Sequence, residues 1–144
     1  MKMTKIMIIN GPNINMLGIR EPNIYGHTTY DQLCSDLYEF AKNNNIDLTI
    51  QQSNHEGDLI DYIQSCYFNK FDGIVINPGA YTHTSIGILD ALISVNIPTI
   101  EVHISDKTKR EEFRKNSYIS LAATKTILGM GIDGYFIALK EFIK

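Results

Sequence analysis

The sequence has no tryptophan, only two cysteines, and no apolar run that approaches the length of a bilayer span. The missing apolar run excludes a membrane-crossing helix from the reading. Ile6-Met7-Ile8-Ile9 is too short for the core of a signal peptide and leads straight into Asn10-Gly11-Pro12, so it reads as a buried strand. Cys34 and Cys66 lie far apart with no CxxC partner, so we expect a reduced pair rather than a disulfide, in a cytoplasmic protein. Neither sign of charge dominates: 13 Lys and Arg face 16 Asp and Glu, for a formal net charge of -3. A nucleic-acid partner would call for a strongly basic face, which this balance argues against. There is also no linker, repeat or low-complexity stretch, so one domain over residues 1–144 is expected.

What is present is an alternation of two periods. Lys5 to Asn10 is a short, β-branched-rich run ending in turn residues, as in a strand buried on both faces. Thr29-Tyr30-Asp31-Gln32 has the form of a capping box, and Leu33, Leu37, Phe40 and Ala41 then recur at helical spacing up to Asn43-Asn44-Asn45. Ile46 to Gln51 reads as a second strand, and Leu59, Ile60, Ile63 and Tyr67 as the apolar face of a second helix. Gly73 to Asn77 is a third strand, Thr84 to Val95 a helix, Pro98 to His103 a fourth strand and Thr124 to Leu128 a fifth. Ile132, Tyr135, Phe136, Leu139 and Phe142 form the face of a last helix. Strands alternating with helices imply a parallel sheet with right-handed crossovers. We therefore predict an α/β fold of three layers, flavodoxin-like and doubly wound, with strand order 2-1-3-4-5.

In such a sheet a ligand sits beyond the carboxyl ends of the strands, where the winding reverses between the first and third strands. That points to Asn10 to Asn13, to Asn77-Pro78-Gly79, and to the loop after His103. The connection holding Asn13, Asn15, Arg20, Tyr25 and His27 is long for a compact domain, so it is either functional or a solvated surface loop. Gly18 and Gly26 could hinge it as a lid. After the third strand, backbone amides near the start of the next helix favour an anion, although Thr84 and Ser85 would serve equally as plain caps. His83 is a surface residue or a participant. Glu101 and His103 are two apart on a strand and share a face, so they can form either a buried ion pair or an oriented proton donor.

Other patterns do not carry through. Gly129-Met130-Gly131-Ile132-Asp133-Gly134 matches GxGxxG, but the chain has no room after it for the acidic residue of a dinucleotide site, so these glycines read as turn geometry. His55-Glu56 begins an HExxH zinc motif that fails at Leu59, and Glu101, His83 and His103 lack a distinctive ligand spacing, so no metal is expected. A flavin-binding or phospho-receiver module shares the topology. The first strand, however, ends without the paired acids a receiver uses, and its loop is poor in Ser and Thr.

Four blocks together resemble the type II 3-dehydroquinate dehydratases. They are Asn10-Gly11-Pro12-Asn13 through Leu17-Gly18, Arg20-Glu21-Pro22 and Tyr25-Gly26; Gln52-Ser53-Asn54-His55-Glu56-Gly57; Asn77 through Ser85; and Glu101 through Ser105 with Arg110-Glu111-Glu112-Phe113-Arg114. The resemblance spans nearly the whole chain and implies dehydration of 3-dehydroquinate to 3-dehydroshikimate in the shikimate pathway, by anti elimination through an enolate. It implies no cofactor and no metal. Tyr25 would be the base with Arg20 beside it, since a free phenol titrates near pH 10 and needs a cation to act at pH 7. Asn13 would hold a water against the enolate, and His103, oriented by Glu101, would protonate the leaving hydroxyl as general acid. Asn77 with the amides of Ile104 and Ser105 would take the substrate carboxylate, and His83 and Arg114 the ring hydroxyls. Asp90 would reach a neighbouring subunit's site in a homododecamer, a tetramer of trimers. Three positions depart from the family's pattern: Leu89 stands where a basic residue is frequent, Asp106 where Asn is usual, and Asn116 where His is common.

Overall fold

The computed structural model describes residues 2–143. β1 (Thr4–Asn10) lies inside a five-stranded sheet between β2 (Ile46–Gln52) and β3 (Gly73–Asn77), followed by β4 (Thr99–His103) and β5 (Lys125–Leu128). Every pairing is parallel and the order is β2-β1-β3-β4-β5, the doubly wound order expected. α1 (Pro22–Tyr25) is a single turn inside the β1 connection. The layers follow from the period of two along each strand. Ile6 and Ile8 bury against Leu33 and Leu37 of α2 (Tyr30–Asn43) and Tyr135 and Leu139 of α5 (Asp133–Glu141). Met7 and Ile9 bury on the other face, against Leu59 and Ile63 of α3 (Glu56–Phe68) and Ile88 and Leu92 of α4 (Ile86–Val95). Two buried faces explain why β1 reads as an unbroken apolar run. Each such isoleucine or leucine contributes roughly 1.5–3 kcal/mol by leaving water.

Several local expectations change in detail. Thr29 caps α2, its Oγ1 accepting from Gln32 N at 3.2 Å, but the Gln32 amide donates to Asp36 instead of reaching back, so only half of the capping box forms. The helix expected from Thr84 begins at Ile86, because Ser85 turns its Oγ onto Ile88 N as the cap. Pro98 precedes β4 rather than starting it. Tyr67, read as part of a buried face, is 61% exposed. The buried stripe of α3 runs Leu59, Ile63, Cys66, and Tyr67 lies one residue beyond it, about 100° further around the helix. Gly129 and Gly131 have φ of 69° and 59°, the left-handed turn geometry expected of them. Cys34 and Cys66 are free thiols. Among the described residues no helix is long and apolar enough to cross a membrane.

Candidate active site

The chain leaves β1 toward the α2 face and β3 toward the α4 face, so a crevice opens between their carboxyl ends. Backbone contacts hold that crevice together. Gly11 N donates to the Asn77 carbonyl at 2.8 Å, and Gly11 lies so close to Pro78 that a Cβ there would meet the Pro78 oxygen at 2.4 Å. Asn13 follows in the left-handed region (φ 70°), its N–H donating to Asn54 Oδ1 at 3.0 Å. The Gln52 amide donates to Gly11 O and Asn54 Oδ1, both at 3.2 Å. The Gln52-Ser53-Asn54 block thus gains a physical role, which is to hold the β1 loop in place.

The cavity at this point is lined by Asn13, Arg20, Tyr25, Asn77, His83, His103, Ile104, Ser105 and Arg114, all anticipated from the sequence, together with Arg110. Its ionisable walls include three arginines and two histidines and no carboxylate, although the chain as a whole carries a formal charge of -3. Such a surface attracts a small anion. Glu101 lies behind His103 rather than on the wall, and Asp90 is exposed on α4, outside this cavity. From the segment after β3 the wall takes Gly79, Ala80 and His83 of an intervening 3-10 turn, not the first turn of α4, whose Ile88 amide is already used by its own cap.

Tyr25 sits half-buried at the end of α1, between Gly18 and Gly26, both at φ 87°. The Arg20 guanidinium lies over its ring, 4.6 Å from the centroid. The cation that reaches the oxygen is Arg110, whose Nη1 donates to Tyr25 Oη at 2.6 Å. The sequence alone points to Arg20 for that neighbourhood and to no role for Arg110. The two residues are 85 positions apart, so only the Arg110-Glu111-Glu112-Phe113-Arg114 block hinted at it.

On β4, Glu101 and His103 share one strand face, and His103 Nε2 bonds Glu101 Oε2. Glu101 is fully buried and also accepts from Thr82 and Ser117 on Oε2 and from Ser120 and Thr126 on Oε1. Burial opposes its charge, but the bonds and charge of His103, then Ser120 and Ser117, outweigh it and hold the carboxyl at about 2. The ring of His103 therefore faces a fixed negative charge. His83 Nδ1 bonds the Asn116 carbonyl at 2.6 Å, and since a carbonyl only accepts, the proton sits on Nδ1. Asn116 acts here through its backbone, so its side-chain departure leaves this contact intact. Asp106 caps the next turn through Thr108 N at 3.0 Å, and Leu89 is buried in α4. Among the described residues, no three His, Cys, Asp or Glu side chains are grouped to hold a metal.

Comparison with known proteins identifies the family and matches the fold. The family model for dehydroquinase class II matches residues 4–143. The 3-dehydroquinate dehydratase of Endomicrobium trichonymphae is 53% identical over 141 residues, covering 98% of each chain. That of Caldicellulosiruptor bescii is 53% identical over 95% of this chain and 94% of the relative. The crystal structure of type II dehydroquinase from Butyrivibrio crossotus superposes with a TM-score of 0.95 at 53% identity, over 96% of this chain and 97% of that one. With a full-length family match and a cavity built from that family's motif blocks, the chain belongs to the class II dehydroquinases.

Proposed function

We propose that the whole chain acts as one catalytic domain that dehydrates 3-dehydroquinate to 3-dehydroshikimate, with Tyr25 as base and His103 as general acid. Family membership makes it a hydro-lyase of the shikimate pathway. The assignment of roles rests chiefly on one observation, the 2.6 Å bond from Arg110 to the Tyr25 oxygen inside a cavity that also holds His103. A guanidinium donating to a phenol oxygen stabilises the phenolate, the form able to remove a proton. Tyr25 takes the proton from the carbon beside the substrate ketone, and the C–H electrons move into an enolate. Arg20, above the ring, adds a second positive charge. Asn13 holds a water against the enolate oxygen. The enolate then reforms the ketone and expels the hydroxyl one carbon further on, His103 delivering its proton so that water leaves. The buried charge of Glu101 stabilises the cationic ring this step requires.

The remaining contacts bind. Asn77 Oδ1 accepts from Gly79 N at 3.2 Å and Nδ2 donates one hydrogen to Tyr135 at 2.9 Å. Its second hydrogen serves the substrate carboxylate, together with the amides of Ile104 and Ser105. His83 and Arg114, on the same wall, take ring hydroxyls. The residue 18–26 loop closes as a lid between its two left-handed glycines. No cofactor takes part. Two free thiols suit a reducing cytoplasm. Subunits assemble as a dodecamer, a tetramer of trimers, through the α3–α4 side, where Tyr67, Phe68, Ile93 and Leu121 are exposed, and Asp90 of α4 serves a neighbour's site. Incubation with 3-dehydroquinate tests the reaction: the absorbance of the conjugated enone product is expected to grow, and no turnover by assembled protein rejects the proposal.

A further inference from the structure

Tyr135 is the largest fully buried side chain among the described residues, and its hydroxyl lies directly behind the cavity wall. It donates to Asn10 Oδ1 at 2.7 Å and accepts from Asn77 Nδ2 at 2.9 Å. Asn10 in turn donates its Nδ2 to Tyr30 Oη at 3.2 Å. Asn10 and Asn77 are register partners at the carboxyl ends of β1 and β3, so the phenol of α5 bridges the two strands at the point where the winding reverses. A side chain at this position needs only to fill space for the core to form, and Leu or Phe would do that without carrying a polar atom into the interior. The hydroxyl instead fixes a neighbour that reaches the cavity.

Asn77 has four hydrogen-bonding positions to satisfy. Gly79 N takes up its oxygen and Tyr135 takes one amide hydrogen, which settles which end of the amide is nitrogen and aims the second hydrogen at the cavity. Without Tyr135 the amide keeps only the Gly79 N–H on its oxygen, its inner hydrogen loses its buried partner, and the nitrogen is free to swing away from an incoming carboxylate. Burial pushes the Tyr135 phenol far above its ordinary titration range, so it stays a neutral donor and acceptor at any working pH. We infer that Tyr135 is a positioning residue for substrate binding, holding the Asn77 amide with its N–H toward the substrate carboxylate.

The inference rests on the dehydratase reading above, so the unmodified protein and Tyr135→Phe are assayed side by side with 3-dehydroquinate. We expect KM to rise about ten-fold in the variant while kcat stays within about three-fold, because the contact is made equally to substrate and transition state. A purely structural role lowers the folded fraction, and so apparent kcat, with KM unchanged; that result overturns the inference. An inactive unmodified protein overturns the dehydratase reading and the inference with it, whereas an active one with an unmoved KM in the variant overturns the inference alone. If Tyr135→Phe does not fold, a crystal structure of the unmodified protein with 3-dehydroshikimate decides. Asn77 Nδ2 must then lie within hydrogen-bond reach of both Tyr135 Oη and the carboxylate, and an amide turned away from Tyr135 overturns the inference.

Discussion

Tyr25 is reached by two guanidiniums in different ways, and the difference has kinetic consequences. Arg110 bonds the oxygen, whereas Arg20 covers the ring and pairs with Glu21 at 3.6 Å. Tyr25→Phe removes the proposed base and is expected to lower kcat by roughly 10²–10⁴-fold. Arg110→Met should cost about a hundred-fold by the same route, and the double variant should be no worse than Tyr25→Phe, since the two act as a unit. Near-normal kcat in Tyr25→Phe rejects its role as base. Glu101 carries a pH signature of its own. Its carboxyl is held at about 2 against an ordinary 4.5, so its contribution to stability is complete above the higher value and lost as pH falls through the lower. Urea unfolding of the unmodified protein should therefore weaken steeply on acidification between about pH 5 and pH 2, and Glu101→Gln should flatten that slope. Equal slopes in the two proteins reject the assignment. The Glu101–His103 pair was legible because strand period alone puts i and i+2 on one face. Arg110 was not, because its partner comes from a connection whose path no periodicity describes.

At the scale of elements, strand ends place the site. β1 and β3 both stop at a polar residue followed by Gly-Pro or Pro-Gly, since Pro cannot donate to the ladder. Those breaks are visible in the sequence, as are the buried strands themselves. What periodicity could not supply is the 3-10 turn Gly79–His83 between β3 and α4, which moves the cavity wall off the helix N-terminus. Nor could it separate Cys66, inside, from Tyr67, outside, because the angular step between neighbours is comparable to the width of the stripe. Close approach of the two strand ends depends on Gly11, where a Cβ would press on the backbone of Pro78. Backbone cannot yield as a side-chain tip can, so Gly11→Ala must separate the loops that carry Asn13 and Asn77. We expect a loss of about 1–3 kcal/mol in unfolding free energy. A raised KM should accompany it, measured by denaturant titration and steady-state kinetics. An alanine variant with unchanged stability and KM refutes this account of the crossing.

For the molecule as a whole, a doubly wound sheet buries both faces of its strands, and several exposed apolar side chains lie on or beside α3 and α4. Ile93 and Leu121 face solvent beside the groove formed by α4 and the residues preceding β5, at 59% and 75% exposure. Tyr67 and Phe68 form an edge-to-face pair nearby, 5.3 Å between ring centroids, against Ser94 and Val95 of the same helix. Apolar side chains exposed on and beside neighbouring helices mark an association site or a liability. Asp90 lies on that helix, exposed and away from its own chain's cavity. These two facts have one explanation if α4 faces a neighbouring subunit and Asp90 enters the neighbour's cavity. Leu121→Glu puts a charge on that surface without touching the sheet, and should leave the monomer's fold intact while shifting the sedimenting species to lower mass. If Asp90 acts across the contact, turnover per chain should fall by about ten-fold or more as the assembly dissociates, the size expected when a positioned group leaves an active site. Asp90→Asn should reproduce the loss with the assembly intact. A Leu121→Glu protein that sediments at lower mass yet retains full turnover shows that each cavity is complete within its own chain.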